Sequence, residues 1–139
     1  MPDLEIIEKR IAHSFEDLQH LKKYQNVTAE DIEKDKDLLW ILERGLYLLI
    51  QNLLDMLAHI VSADFNEKWD TYTDIIAILF KHNIISEEDK IVLSQMVGFR
   101  NRLAHEYFSI DTSILIDIMN NRLPDFSRYL LIIKSYCNL

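Results

Sequence analysis

The chain is poor in residues that break or cross-link a fold, with only 2 Gly, 2 Pro and 1 Cys among 139 residues. Few Gly and Pro residues argue against a turn-rich β fold, and the abundance of Leu and Ile favours helices. The single thiol, Cys137, cannot form an internal disulfide. That cysteine usage is typical of an intracellular protein, so we expect a cytoplasmic location and a buried or terminal thiol.

Motifs of several common protein classes are also missing. The N-terminus lacks the basic-then-apolar pattern of a signal peptide. The sequence contains no Gly-rich phosphate loop, nucleophile elbow, HExxH zinc motif or Cys/His cluster with metal-ligand spacing. No apolar run approaches the ~20 residues that span a bilayer, because the longest, at about 46–60, is interrupted by Gln51, Asn52, Asp55 and His59. We therefore expect no membrane partner, no metal and no cofactor.

The charge balance limits the possible nucleic-acid partners. The formal net charge is -8 and the pI is about 5.0, whereas proteins that adhere generally to nucleic acid have a basic surface. We expect no DNA partner. An activity on RNA would require a local basic site, which Arg100 and Arg102 could provide.

Hydrophobic periodicity predicts five helical segments within a single domain, residues 1–139, at about 4–24, 29–63, 72–82, from 87 and from 111. Three starts resemble capping boxes with Asp in place of Glu, at Thr28/Asp31, Thr71/Asp74 and Ser86/Asp89. Pro124 predicts a kink or restart in the last segment. The predicted apolar stripes are Ile7, Ile11, Phe15 and Leu18 in the first segment and Val92, Met96, Phe99 and Leu103 in the fourth. The fold class is therefore all-α, an antiparallel bundle of four to five helices.

The second segment is apolar on more than one face. A stripe of Leu and Ile from Leu39 to Ile60 is joined by Trp40, Ile41, Tyr47, Leu48 and Leu54. Such a helix is buried on more than one side, and part of this burial could come from a second subunit. We expect Trp40, like Trp69, to be a packing residue, and Gly45 to mark either a tolerated break or a close helix approach.

A polar stripe also runs along this segment. It consists of Arg44, Gln51, Asp55 and His59, with Tyr47 beside it. One interpretation is a solvated face. The other is that these side chains line a cleft next to Arg100 and Arg102, and the sequence leaves both interpretations open.

The strongest functional pattern is the octapeptide Arg100-Asn101-Arg102-Leu103-Ala104-His105-Glu106-Tyr107, which we call the Arg-rich motif. An arginine can hold a phosphate with two parallel hydrogen bonds, and a histidine can move a proton near neutral pH. In a straight helix Arg100 and His105 would lie about 140° apart. Either the helix loosens before His105, or the two side chains meet across subunits. Without further information, Arg100, Arg102 and His105 could also be ordinary cations at a helix C-terminus.

This octapeptide resembles the signature of HEPN-domain toxins of the HepT type: an Arg, a polar residue, a His and, two residues later, a Tyr. The flanking residues 97–99 and 108–111 look similar as well, and the helical layout fits most of the chain. The resemblance implies a HEPN-like helical bundle that forms a two-fold homodimer with the motif at the dimer interface. It also implies a type VII-like toxin–antitoxin pair whose antitoxin is a minimal nucleotidyltransferase.

By the same resemblance, the activity is that of a metal-independent endoribonuclease, in which the 2′-hydroxyl of RNA attacks the adjacent phosphate. The resemblance makes Arg100 the group that stabilises the phosphate charge, His105 the general acid or base, and Asn101 an orienting residue. Tyr107 becomes the acceptor of AMP groups from the antitoxin. Further residues that could line the cleft are Arg102, Arg44, Tyr47, Gln51 and Asp55.

Two other functions are compatible with the sequence. In the first, Arg100 and His105 bind nucleotide phosphate without cleaving it, and the chain is a non-catalytic subunit of a small nucleotidyltransferase complex. In the second, the chain is a structural helical dimer with a degenerate site. The complete set of Arg, Asn, His and Tyr argues against the second alternative.

Overall fold

The computed structural model describes residues 2–105 and 110–139, and this part of the chain is helical without β-strands. Seven α-helices follow in order: α1 Leu4–Leu21, α2 Ala29–Lys34, α3 Lys36–Asp64, α4 Tyr72–Lys81, α5 Glu87–Ala104, α6 Thr112–Asp117 and α7 Leu123–Tyr136. A 3₁₀ turn, Lys22–Tyr24, extends α1, and a π-helical turn, Ile118–Arg122, joins α6 to α7. The predicted all-α antiparallel bundle is confirmed.

The long helix α3 is the centre of the bundle and packs against α1, α2, α4, α5 and α7. Its predicted stripe is buried from Leu42 to Ile60, and Leu39 is half-buried. By length and composition alone α3 could cross a membrane, but half of its most apolar stretch is buried inside the bundle. A helix apolar on several faces is the expected core helix of such a fold.

The helix starts follow the predicted capping chemistry. Reciprocal capping boxes are present at Thr28/Asp31, Thr71/Asp74 and Ser86/Asp89. The single helix predicted over 29–63 is wrong, because the chain breaks at Asp35. Asp35 has an extended backbone (φ -136°, ψ 97°), and its carboxylate accepts hydrogen bonds from the backbone N–H groups of Asp37 and Leu38. It therefore ends α2 and caps α3.

The C-terminal part restarts where Pro124 predicts. Pro124 lies in the first turn of α7, where its missing N–H group leaves no hydrogen bond unmade. Asp89, which is 4% exposed, accepts two hydrogen bonds from the Arg128 guanidinium, at 3.1 and 3.2 Å. This pair ties the start of α5 to α7 and so fixes the helix that carries the Arg-rich motif.

Core packing agrees with the predicted stripes in part. Ile7, Ile11 and Leu18 are buried, whereas Phe15 is half-buried. On α5, Met96 and Phe99 are buried as predicted, but Val92 and Leu103 are only half-buried. The buried side of α5 also includes Leu93 and Val97, which the predicted stripe left out.

Three individual predictions have clear outcomes. Cys137 is a buried thiol, as expected. Gly45 marks a close helix approach, because a Cβ atom there would lie 2.7 Å from Cδ2 of Leu21. Trp40 was expected to pack and does not: its side chain is 63% exposed. Trp69 does pack against the core, and its indole nitrogen donates to Ser62.

Candidate functional site

The Arg-rich motif lies at the C-terminal end of α5. Arg100, Asn101 and Arg102 occupy its last turns, and the helix ends at Ala104. His105 is the C-cap residue, with an extended backbone (φ -98°, ψ 99°), and its N–H donates to the Arg102 carbonyl at 3.2 Å. The helix therefore ends directly before His105. This is one of the two arrangements that would let Arg100 and His105 act together although a straight helix places them about 140° apart. Tyr107 lies outside the described residues.

The Arg100 side chain is held by α3. Its Nε donates to the side-chain oxygen of Gln51 at 2.7 Å, and its Nη1 donates to the side-chain oxygen of Asn101 at 3.0 Å. Within residues 2–105 and 110–139, the Nη2 group of Arg100 has no hydrogen-bond partner. Nε and one N–H of Nη1 thus hold the side chain in place, while the second N–H of Nη1 and the Nη2 group form the edge that bidentate phosphate binding requires.

Two tyrosine rings flank this guanidinium. Arg100 Cζ lies 5.7 Å from the ring centroid of Tyr47 on α3 and 5.6 Å from that of Tyr72 on α4. Both distances are within the range of cation–π attraction. The rings place aromatic surface close to the guanidinium without adding a negative charge beside it.

Behind the arginine, three side chains form a closed ring of hydrogen bonds. Gln51 Nε2 donates to Asp55 Oδ1 at 2.9 Å and to the Tyr72 hydroxyl oxygen at 2.8 Å. The Tyr72 hydroxyl itself donates to Asp55 Oδ1 at 2.8 Å. Burial and, after it, the hydrogen bond to Asp55 raise the pKa of Tyr72, so this hydroxyl stays protonated at neutral pH. The other oxygen of Asp55 lies 4.0 Å from Arg10 Nη1 on α1.

The polar stripe predicted on α3 divides into two parts. Gln51 and Asp55 contact Arg100, Tyr72 and Arg10, and we call these five side chains the Arg100 cluster. Both residues are partly buried, so a fully solvated face is wrong for them. His59 points elsewhere, since its Nε2 accepts a hydrogen bond from the Asp3 backbone N–H at 3.0 Å. Arg44 is exposed and lies 5.7 Å from the Tyr47 ring.

Grooves lie on both sides of the motif. A groove of about 330 Å³ next to its last turn is lined by Trp40, Glu43, Arg44, Tyr47, Leu103 and Ala104. Burial raises the pKa of the Glu43 carboxyl in this groove. A larger groove of about 670 Å³ follows the opposite side of α5, and Arg102 reaches it together with Gly98, Phe99 and residues of α6 and α7. Arg102 is exposed and lines this larger groove.

The structure adds two side chains that the sequence pattern did not single out, Tyr72 and Arg10. Tyr72 is the first residue of α4, and Arg10 lies on the outer side of α1. Neither forms a motif with residues near position 100, and only the packing of four helices brings them together. Among the described residues, no group of three His, Cys, Asp or Glu side chains is placed to hold a metal ion.

Comparison with known proteins identifies relatives over most of the chain. Residues 14–133 match the family model described as Ribonuclease HepT-like, and this range includes the whole octapeptide. A curated protein of Aphanizomenon flos-aquae, tRNA nuclease HepT, is 32% identical over 131 residues, which cover 94% of this chain and 89% of the relative.

Solved structures share the fold at lower sequence identity. A tri-AMPylated Shewanella oneidensis HEPN toxin in complex with MNT antitoxin superimposes with a TM-score of 0.84 at 22% identity, covering 97% of this chain and 99% of that one. A toxin–antitoxin crystal structure with AMP-PNP has a TM-score of 0.84 at 21% identity, covering 94% and 98%. The alternative of a non-catalytic nucleotide-binding subunit finds no support among these relatives. The motif at the end of α5, the HEPN-like bundle and the family match together establish that this chain belongs to the Ribonuclease HepT-like family.

Proposed function

We propose that this protein is the RNA-cleaving toxin of a cytoplasmic HepT/MNT toxin–antitoxin pair, and that it cleaves RNA without a metal ion. The observation that carries the proposal is the state of Arg100. Its guanidinium is fixed at Nε and Nη1, at the end of the helix that His105 caps, and its Nη2 group has no hydrogen-bond partner among the residues that the structure describes. Family membership supports the ribonuclease class.

The reaction needs no nucleophile from the protein. The 2′-hydroxyl oxygen of a ribose attacks the adjacent phosphorus, forming the O2′–P bond and breaking the P–O5′ bond. One base takes the 2′-hydroxyl proton and one acid returns a proton to the leaving 5′ oxygen, which yields a 2′,3′-cyclic phosphate and a 5′-hydroxyl. We assign proton transfer in this reaction, as the general base or the general acid, to His105. Arg100 stabilises the negative charge that grows on the phosphoryl oxygens, and Asn101 orients Arg100 by accepting from its Nη1.

The substrate supplies the attacking group and arginine supplies the positive charge, so the scheme has no step that requires a metal-activated water. The test is incubation of purified protein with total tRNA and with a messenger RNA in excess EDTA. Cleavage that leaves 2′,3′-cyclic phosphate ends is the expected result. Loss of cleavage in EDTA, with recovery on adding a divalent cation, would replace this mechanism with a metal-dependent one.

We also propose a two-fold homodimer, in which the second copy covers apolar surface of α3. Trp40, Ile41 and Leu48 are 63%, 43% and 39% exposed and line one surface groove along that helix. An exposed apolar patch of this kind marks an interaction surface. Analytical ultracentrifugation should show a dimer for the wild type. In Trp40→Glu the dimer should dissociate more readily, because the substitution places a negative charge in the apolar contact. A wild-type monomer at micromolar concentration would reject the homodimer.

The partner is proposed to be a minimal nucleotidyltransferase antitoxin that transfers AMP to Tyr107. The support is the fold shared with a toxin described as tri-AMPylated and bound to MNT antitoxin. Tyr107 follows His105, the C-cap residue of α5, by two positions in the sequence.

A further inference from the structure

The hydrogen-bond partner of Arg100 on α3 is a neutral amide rather than a carboxylate. Arg100 Nε donates to Gln51 Oε1 at 2.7 Å, across a sequence separation of 49 residues. We propose that Gln51 is the positioning residue of Arg100, and that Asp55 and Tyr72 act through it by fixing its amide. This inference rests on the proposed ribonuclease function, because it concerns how the phosphate-binding arginine is prepared for RNA.

Donor and acceptor chemistry allows only one orientation of the Gln51 amide. The Arg100 guanidinium can only donate, so the amide oxygen must face it. A charged Asp55 carboxylate can only accept, so the amide nitrogen must face that side. The Tyr72 hydroxyl completes the ring by accepting from Gln51 at 2.8 Å and donating to Asp55 at 2.8 Å. Each of the three side chains thus fixes the direction of the other two.

The neutral amide also preserves the charge of Arg100. A carboxylate in direct contact with the guanidinium would neutralise it and repel an incoming phosphate. The carboxylate of this cluster, Asp55, bonds to Gln51 and Tyr72, and its second oxygen faces Arg10 at 4.0 Å. Its charge is therefore partly balanced on the α1 side, away from the phosphate-binding edge.

The geometry leaves the guanidinium ready for a phosphate. Gln51 holds Nε, the ring centroids of Tyr47 and Tyr72 lie 5.7 and 5.6 Å from Cζ, and the Nη1–Nη2 edge remains for an RNA phosphodiester. A transition-state contact of this kind is effective because its donors are oriented before the substrate arrives. An arginine without this support would have to be ordered during each catalytic cycle.

Three variants separate positioning from simple stability. Gln51→Leu removes the acceptor with little change in size. Gln51→Glu restores an acceptor for Nε, but it places a negative charge against Arg100 and sets a second carboxylate against Asp55, because the single hydroxyl proton of Tyr72 can serve only one of the two. Gln19→Leu makes the same chemical change as the first variant on the exposed side of α1 and is the matched control.

The first measurement is the Arg100 Nε–H signal in ¹H–¹⁵N NMR spectra, assigned with Arg100→Lys. The signal should be protected from solvent exchange in wild type and Gln19→Leu, lost in Gln51→Leu, and recovered in Gln51→Glu. The second measurement is RNA cleavage. Gln51→Leu should lower kcat on the order of 10- to 100-fold, as misplaced catalytic groups do. Gln51→Glu should instead weaken RNA binding and flatten its dependence on salt, because one phosphate contact is lost.

Two results would overturn the positioning role while leaving the proposed function intact. One is a protected Arg100 Nε–H that persists in Gln51→Leu. The other is wild-type cleavage by Gln51→Leu. A wild-type protein that cleaves no RNA under any of these conditions would instead contradict the proposed function, and with it the role assigned to Gln51.

Discussion

Arg100 and Gln51 lie 49 positions apart in the chain, and the guanidinium Nε of the first donates a 2.7 Å hydrogen bond to the amide oxygen of the second. The contact joins α5 to the central helix α3. The motif at the end of α5 is therefore not sufficient to build the site by itself. Its arginine acquires a fixed direction only when α3 and α4 have packed beside it, so the orientation of Arg100 reports on the packing of the bundle.

Removal of Arg100 should abolish most RNA cleavage. Arg100→Ala deletes the charge that we assign to stabilising the phosphoryl oxygens, and we expect kcat to fall by on the order of 10²-fold or more. Arg100→Lys should recover little, because lysine keeps the charge but lacks the Nε donor and the bidentate edge. Initial cleavage rates in EDTA provide the measurement.

The control for this series is Arg122→Ala, because the guanidinium of Arg122 pairs with Asp125 at 3.1 Å at the start of α7. It removes the same charge away from the Arg100 cluster and should leave cleavage unchanged. His105→Ala should be as inactive as Arg100→Ala, with an unchanged helical circular dichroism spectrum. Normal cleavage by Arg100→Ala or by His105→Ala would contradict the roles assigned to these residues.

The helices could be predicted from the sequence because their signals are local. Capping boxes such as Ser86/Asp89 and the 3.6-residue apolar period specify where α5 begins and which side is buried. The break at Asp35 was missed because the apolar pattern resumes immediately, and only the cap made by its side chain shows it. The end of α5 at Ala104 has no Gly or Pro to mark it.

The site was predictable only where it follows the motif. Arg100, Asn101 and His105 are adjacent in sequence, and a resemblance to a known family was enough to single them out. Tyr72 and Arg10 enter the cluster through the packing of α4 and α1, which no local pattern encodes. Trp40 was expected in the core, yet the single chain leaves it exposed, because its position lies off the buried stripe of α3.

Acid should weaken the attachment of α5 to α7 through Asp89. Burial alone would raise the pKa of this carboxyl, but hydrogen bonds from Arg128 and Ser86 outweigh it and hold the pKa below the ordinary value. The folded state thus binds the proton less readily than the unfolded state. The stabilisation is complete above the unfolded pKa of about 3.9 and is lost as the pH falls through the lower folded pKa.

Asp89→Asn should remove this pH dependence and cost about 1–2 kcal/mol in the free energy of unfolding at pH 7, as expected for hydrogen bonds to a charged group. Urea denaturation at pH 7 and at about pH 3 measures both effects. The difference between wild type and variant should shrink at the lower pH. A difference that is equal at the two pH values would show that Asp89 does not act through its charge.

The two glycines should respond oppositely to the same substitution. In Gly45→Ala the new Cβ would lie 2.7 Å from Cδ2 of the buried Leu21, so the Leu21 side chain must move within the core. We expect the strain, about 1–3 kcal/mol, to exceed the helix-propensity gain of about 1 kcal/mol. In Gly98→Ala the Cβ meets no atom within 4 Å, so only the gain remains. Thermal unfolding should show a lower Tm for the first variant and a higher Tm for the second.

Modification of Tyr107 should silence the protein without unfolding it. In the expected reaction the Tyr107 phenolic oxygen attacks the α-phosphorus of ATP, the new O–P bond forms, and pyrophosphate leaves while the phenolic proton is released. The product is a phosphodiester with one negative charge. Arg100, whose Nη2 group has no hydrogen-bond partner in the described part of the chain, can pair with that charge.

This pairing would occupy the arginine that RNA requires, and the adenosine would block access to it. Co-expression with the cognate nucleotidyltransferase, followed by intact-mass spectrometry, should show AMP-sized additions on wild type and on Tyr72→Phe, but none on Tyr107→Phe. The modified wild-type protein should fail to cleave RNA while its circular dichroism spectrum stays helical. An addition that persists in Tyr107→Phe would place the acceptor elsewhere. Full inhibition of wild type without any mass increase would mean that the antitoxin acts by binding alone.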